Sequence, residues 1–353
     1  MKKRSFVVIG VFFILVLSFF VQADAAETAK PIELRFSMFL SLDHTSYING
    51  WRPFAQELER RSKGRVKVTF YPSETLGKAK DHYDMTVNGI ADLGMSVLGF
   101  NPGRFPLAEA LELPIAWPSC RIAARVCWDI YEKYLKKEFS DVKLIALATT
   151  DPNQIMTSKK AVRTLADLSG VRLKTGSPRQ VDMVRAWGGS PINIPITDTY
   201  EALQRGMLDG IFTGYSGLTD FKLHEQLSHY TTIGVGVSVA TGLMNLKTWN
   251  SLPPDIQKII TDISGSNLSA RIGDVFDKAQ RDALAEATKL GGKVYTLSSA
   301  DKAALLEKSK PIVETWIANV EKKGLPGRKI YEDIIALVDK YSKEEAASAA
   351  GRK

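Results

Sequence analysis

The segment GVRLKTGSP, residues 170–178, sets two cations, Arg172 and Lys174, at alternate positions of a short apolar stretch just ahead of a Gly-Ser-Pro turn. Successive strand side chains face opposite sides, so Val171 and Leu173 point one way and both cations the other. Two cations on one strand face just before a turn raise the question of what that face meets, and the ordinary answer is solvent at a sheet edge. Other residue groups promise less chemistry. HEQLSH, residues 224–229, sets two histidines five apart, which on a helix turns them ~140° from each other, so a solvated helix face is expected rather than a metal site. GYSG at 214–217 lacks the full pattern of a nucleophile elbow, and GVG at 234–236 lacks the third glycine of a dinucleotide loop. With no phosphate-binding loop and no cysteine-histidine cluster, the sequence argues against an enzyme and against a bound metal or cofactor. It favours capture of a small solute.

The elements that must position these residues alternate. IELRFSM, RVKVTFY and IADLGMSV read as strands, separated by helices over SYINGWRPFAQELERRS and KAKDHYDMTVNG. A second set follows from Lys143, with strands KLIALATT, IMTSKKAV, GVRLKT, PINIPI and MLDGIFTG and helices DMVRAWGG and TDTYEALQRGM. This βαβ order makes an α/β protein with helices on the sheet faces. The Val-rich TTIGVGVSVATGLMNL is long enough to run from one domain into another. From Pro254 to Leu290 the pattern is nearly continuous helix, a reach of ~55 Å that exceeds the width of one small domain.

Bulk properties bound the rest. Lys2, Lys3 and Arg4 precede an apolar run from Phe6 to Val21 and a small-x-small site near Ala25, the pattern of a cleaved secretory signal. Its loss would lower the net charge from +8 to +6, a mild preference for anionic ligands, with none of the interleaved basic and aromatic residues that nucleic acid requires. Cys120 and Cys127, seven apart in a helical stretch, would lie ~10 Å apart, too far for a disulfide. A chain of 353 residues exceeds what one core serves, so two domains are expected.

Three segments taken in order, YPSETLGKAKDHYDMTVNGIADLG (71–94), LADLSGVRLKTGSP (165–178) and TYEALQRGMLDG (199–210), resemble the solute-binding subunits of tripartite ATP-independent periplasmic (TRAP) transporters, the dicarboxylate-binding-protein-like family. The resemblance runs from about Ile32 to Asp301. It implies a two-lobed periplasmic binding protein fold with a long helix spanning both lobes. It also implies a periplasmic protein that captures a small organic acid in the cleft and delivers it to small and large integral membrane subunits for ion-gradient-driven uptake. A ligand sensor signalling to a membrane receptor is the alternative. A monomer is expected of a protein that must dock and release. In these terms residues 1–25 are the signal peptide, 26–150 the first lobe, 151–235 the core of the second, 236–253 a crossing strand segment, 254–290 the long helix, 291–340 C-terminal helices and 341–353 a disordered tail.

The family grips its carboxylate with an arginine in the strand after the Asp-Leu-x-Gly turn, and Lys174 holds that position here. Lysine is a point charge and does not reproduce the planar fork of arginine. Gln154 stands where many relatives carry a second arginine. Phe39 and Val97 replace polar groups found in sugar-acid binders, Thr213 replaces an asparagine, and Tyr215 lies two residues on. One cation among apolar and aromatic walls suits an organic acid with an apolar body. His44, Glu74, Phe100 and Arg104, in loops that follow strands, complete the expected set. Asp209, before Gly210, is read as a turn residue rather than a ligand contact.

Overall fold

In IELRFS the side chains of Leu34 and Phe36 are buried and those of Glu33 and Arg35 exposed, the period of a half-buried strand. The computed structural model describes residues 30–350, so the expected signal segment and the last three residues lie outside the described residues. The chain begins with β1 (Ile32–Ser37), β2 (Val66–Tyr71), β3 (Leu93–Val97) and β4 (Val142–Thr149). It continues through β5 (Gln154–Thr157), β6 (Arg172–Thr175), β7 (Ser190–Asn193), β8 (Gly210–Thr213) and β9 (His229–Thr232), then β10 (Val239–Asn245) and β11 (Lys293–Thr296). One sheet has the order β2-β1-β3-β10-β4, the other β11-β9-β5-β8-β6-β7. Each sheet is the centre of one lobe. β1 pairs in parallel with β2 and β3, whereas β10 runs antiparallel between β3 and β4.

The Val-rich segment therefore crosses between lobes, as its length suggests, but as two strands in different sheets joined by residues 233–238. That joint lies beside the β4–β5 link: Thr150 N donates to Ser238 O (2.9 Å) and Asn153 N to Gly236 O (2.9 Å).

The long helix of the sequence reading is two helices, Pro254–Ile263 and Ser266–Lys289. Gly265 adopts φ +70° and its N–H donates to Ile145 O of β4 (2.8 Å), so the helical hydrogen-bond ladder stops there. The second helix alone, about 36 Å long, links the lobes. Leu268, Ile272 and Phe276 pack into the first lobe's core, Ala283 and Ala287 into the second's. It lies hard against the helix Cys120–Ile130, whose first amides donate to Asp277 (Cys120 N 2.8 Å, Arg121 N 3.0 Å). A Cβ on Gly273 would sit 2.7 Å from Cys120 O and 2.8 Å from Arg121 Cα. Since both obstacles are backbone, Gly273→Ala is expected to cost about 1–3 kcal/mol, read as a lower urea midpoint.

Two further expectations need correction. Residues 291–340 are not all helical: β11 adds a parallel edge strand beside β9 before the helices Ser299–Glu321 and Gly327–Ala350. The tail expected to be disordered continues that last helix to Ala350, because Tyr341 is buried with its hydroxyl on Asp129 and Glu344 pairs with Arg125 (2.9 Å). Cys120 and Cys127 lie on one helix as free, buried thiols. His224 and His229 do not share a helix; one is in a short turn, the other opens β9. Among the described residues no helix is long and apolar enough to cross a membrane, and no group of three or more His, Cys, Asp or Glu is placed to hold a metal.

Candidate ligand-binding site

A cavity of about 80 Å³ lies between the lobes, at the C-terminal ends of β1, β3, β6 and β8, where open α/β sheets collect ligands. The first lobe contributes Phe39, His44, Val97 and Phe100; the second contributes Lys174, Thr213, Ser216 and Phe221. Thr150, Asp151 and Ser238 come from the two crossing links, and Phe276 comes from the bridging helix. Phe39 and Phe100 meet edge to face at 5.4 Å, as do His44 and Phe221 across the cleft. The volume is below the ~150 Å³ that admits benzene, so enclosing a ring-sized ligand requires the side chains of the wall to shift.

The two cations of β6 have separate fates. Arg172 is forked onto Asp209, with Nε 2.9 Å from Oδ2 and Nη2 2.7 Å from Oδ1, and Asp209 also accepts from Arg172 N (2.9 Å). That carboxylate therefore serves the fold, holding the β6 end beside the β8 turn. Lys174 is 4 % exposed and has no hydrogen-bond or ion-pair partner among the described residues. Burial alone lowers its pKa to about 8. An uncompensated buried ammonium is unfavourable, and an incoming anion relieves it.

Around this cation the hydroxyls differ in what they offer. Ser238 Oγ accepts from Gln180 Nε2 (3.3 Å), and its own proton has no acceptor among the described residues. Gln180 Oε1 in turn accepts from Gly176 N (2.6 Å), beside the Lys174 ammonium. Ser216 Oγ donates to Asp151 Oδ1 (2.6 Å), while Ser216 N donates to Oδ2 (3.0 Å). Burial pushes Asp151 up to about 6 despite those bonds.

His44 Nδ1 accepts from Ser46 N (3.1 Å), which leaves Nε2 to carry the proton toward Asp220 Oδ2 at 3.4 Å. Thr45 N donates to the other oxygen (2.9 Å). The distance fits an ion pair, yet burial lowers His44 to about 3 and raises Asp220 to about 7. We read the contact as a neutral imidazole facing a carboxyl oxygen that has no hydrogen-bond partner among the described residues, and the tie between the lobes is the Thr45 N–H bond to Asp220.

Of the ten residues singled out from sequence, the cavity gathers Lys174, Thr213, Phe39, His44, Val97 and Phe100. The other four lie outside its lining. Gln154 Oε1 accepts from Ile233 N (2.7 Å) and Gly234 N (2.9 Å), bracing the crossing links. Tyr215 bonds Thr232 Oγ1 (2.7 Å) within the second lobe's core. Glu74 is held by Lys78 (2.9 Å) and Ala79 N (2.8 Å). Arg104 pairs with Asp84 and Asp141 and lies over the Tyr83 ring. Sequence reasoning missed Asp151, Ser216, Ser238, Phe221 and Phe276. The local signals were Asp151-Pro152 at a strand junction and Ser216 within GYSG, which sequence reasoning weighs only as a nucleophile elbow.

Comparison with known proteins agrees with this arrangement. Residues 36–319 match the DctP family model, bacterial extracellular solute-binding protein family 7. The C4-dicarboxylate-binding periplasmic protein DctP of Rhodobacter capsulatus is 23% identical over 289 residues, covering 80% of this chain and 86% of that protein. A marine metagenome TRAP solute-binding protein specific for aromatic acid ligands, solved with metahydroxyphenylacetate, superposes with a TM-score of 0.86 at 27% identity, covering 88% of this chain and 99% of that one. A TRAP periplasmic solute-binding protein of Bordetella bronchiseptica with bound mandelate gives 0.83 at 25% identity, covering 88% and 100%. A two-sheet fold with an interlobe cavity, matched over most of its length, makes this chain a member of bacterial extracellular solute-binding protein family 7, with the fold of TRAP solute-binding proteins.

Proposed function

We propose that the protein captures a small organic acid with an apolar or aromatic body and delivers it, as a periplasmic monomer, to TRAP-type membrane subunits. The observation that carries this reading is Lys174, a buried cation without an anion, set among Phe39, Val97, Phe100, Phe221 and Phe276. Rings and aliphatic walls supply contact area, and the ammonium orients the carboxylate. The neighbouring structures at 25–27% identity, with bound mandelate and metahydroxyphenylacetate, support an aromatic body. The test is a thermal-shift screen of mono- and dicarboxylates, sugar acids, aromatic acids and neutral analogues. A ligand present at one hundred times its Kd adds about 2.7 kcal/mol, and stabilisation confined to neutral compounds would overturn the reading.

The pH dependence follows from the same group. Below pH 8 the folded and unfolded chains both hold the Lys174 proton, and the cost of burying the charge is fully present. Between about 8 and 10.5 the unfolded chain binds more protons, so this group makes the empty protein more stable as pH rises. Carboxylate affinity moves the other way, because binding needs the ammonium. It should fall by up to tenfold per pH unit above about 8, measured by calorimetry against buffer pH.

A further inference from the structure

Ser216 has one hydroxyl proton, and Asp151 takes it. The 2.6 Å separation lies in the range of a charge-assisted bond from hydroxyl to carboxylate. Asp151 is fully buried and is fixed from a second direction by Ser216 N, so the hydroxyl cannot easily turn its proton elsewhere. Ser216 nevertheless lines the cavity. With that proton committed, its oxygen has lone pairs only to offer a ligand, the opposite of Ser238, which lines the same cavity with its proton uncommitted. The cavity thus offers donors, at Lys174 and Ser238, and a committed acceptor at Ser216.

We propose that the ligand carries, in addition to the carboxylate held at Lys174, a hydrogen-bond donor on its body, a hydroxyl or protonated amine, that is read by Ser216 with Asp151 as the positioning residue. This rests on the carboxylate reading above. A site built around a committed acceptor rejects a ligand lacking the donor, because closure then leaves a buried oxygen unpaired. An ether of the same shape is rejected too, since two acceptors face each other. Asp151 acts through Ser216 and need not touch the ligand.

The test is titration calorimetry on the full mature chain with matched sets: benzoate, 3-hydroxybenzoate, 3-aminomethylbenzoate and 3-methoxybenzoate; phenylacetate, mandelate and O-methylmandelate; propionate, lactate and 2-methoxypropionate. In at least one set the donor-bearing member should bind tenfold or more tightly than both its parent and its methyl ether, and the amine arm tells hydroxyl from ammonium. Ser216→Ala should reduce that ratio to near one by weakening the donor-bearing acid far more than its parent, and Asp151→Asn should reduce it in part. A merely structural role would weaken parent and donor-bearing ligands alike. If a variant does not fold, the ligand series on the unaltered protein still decides. Parent or ether binding as tightly as the donor-bearing acid in every set overturns this inference and leaves the carboxylate reading intact. No binding by any acid overturns both.

Discussion

Lys174→Met should weaken carboxylate binding by about 30-fold or more and, at the same time, raise the melting temperature of the empty protein. The two effects have one cause. Burial holds the ammonium's pKa near 8 rather than 10.5, a penalty on the order of 3 kcal/mol at neutral pH. Methionine has a similar length and no charge, so it removes the penalty from the empty protein. It also removes the only buried cation lining the cavity among the described residues. A ligand carboxylate would then be desolvated against apolar walls with no compensation. Denaturation of the empty protein and calorimetry with a screened ligand read the two signs separately. If the empty protein were less stable and affinity unchanged, Lys174 would be a packing residue and the site assignment would fail.

The second large effect is expected from Gly99→Ala. Gly99 follows β3 in the first lobe and meets the turn after β6 in the second: a Cβ there would lie 2.5 Å from Ser177 Cβ and 2.8 Å from Gly176 O. Neither atom belongs to a flexible side-chain end, so the lobes could not come this close. The first lobe on its own has no such conflict, and the variant should fold normally by circular dichroism. What it loses is the state that encloses a ligand. Because apparent affinity scales with the fraction of competent molecules, binding should weaken on the order of 100-fold, with no ligand-induced contraction in small-angle scattering. Contraction and affinity like those of the parent protein would show that the lobes close by another path.

Much of this architecture can be read from the residues, and the exceptions have identifiable causes. The strands and the amphipathic helices follow from period alone. The break at Gly265 does not, because one glycine in a helical pattern is usually tolerated; here it is decided by a distant acceptor, Ile145 O. The C-terminal helix was obscured by its charged, alanine-rich composition, which serves a helix as well as a disordered tail. Its packing through Tyr341 is a tertiary fact. For the site, Lys174 was visible because strand alternation and a motif coincided. Asp151, Ser216 and Ser238 come from three separate segments, and the direction of a hydroxyl proton is fixed by a partner 65 residues away. The same limit applies to Arg104 and Gln154, whose polar groups are occupied by neighbours that a linear reading does not bring near, whereas Glu74 is held by Lys78 and Ala79 of its own loop.

The position of β10 between β3 and β4 bears on the order in which this chain can acquire structure. The first lobe's sheet is missing an inner strand until residues 239–245 arrive, after nearly all of the second lobe's sheet has been made. Until then β3 and β4 have no bridge, each exposing an unpaired edge. An N-terminal fragment ending before Val239 therefore lacks the strand that joins β3 to β4, and a chain emerging N-terminus first stays incomplete until it is about two-thirds through. The interleaving that ties the two lobes also postpones their folding, so the polypeptide stays extensible until most of its residues are available to pair.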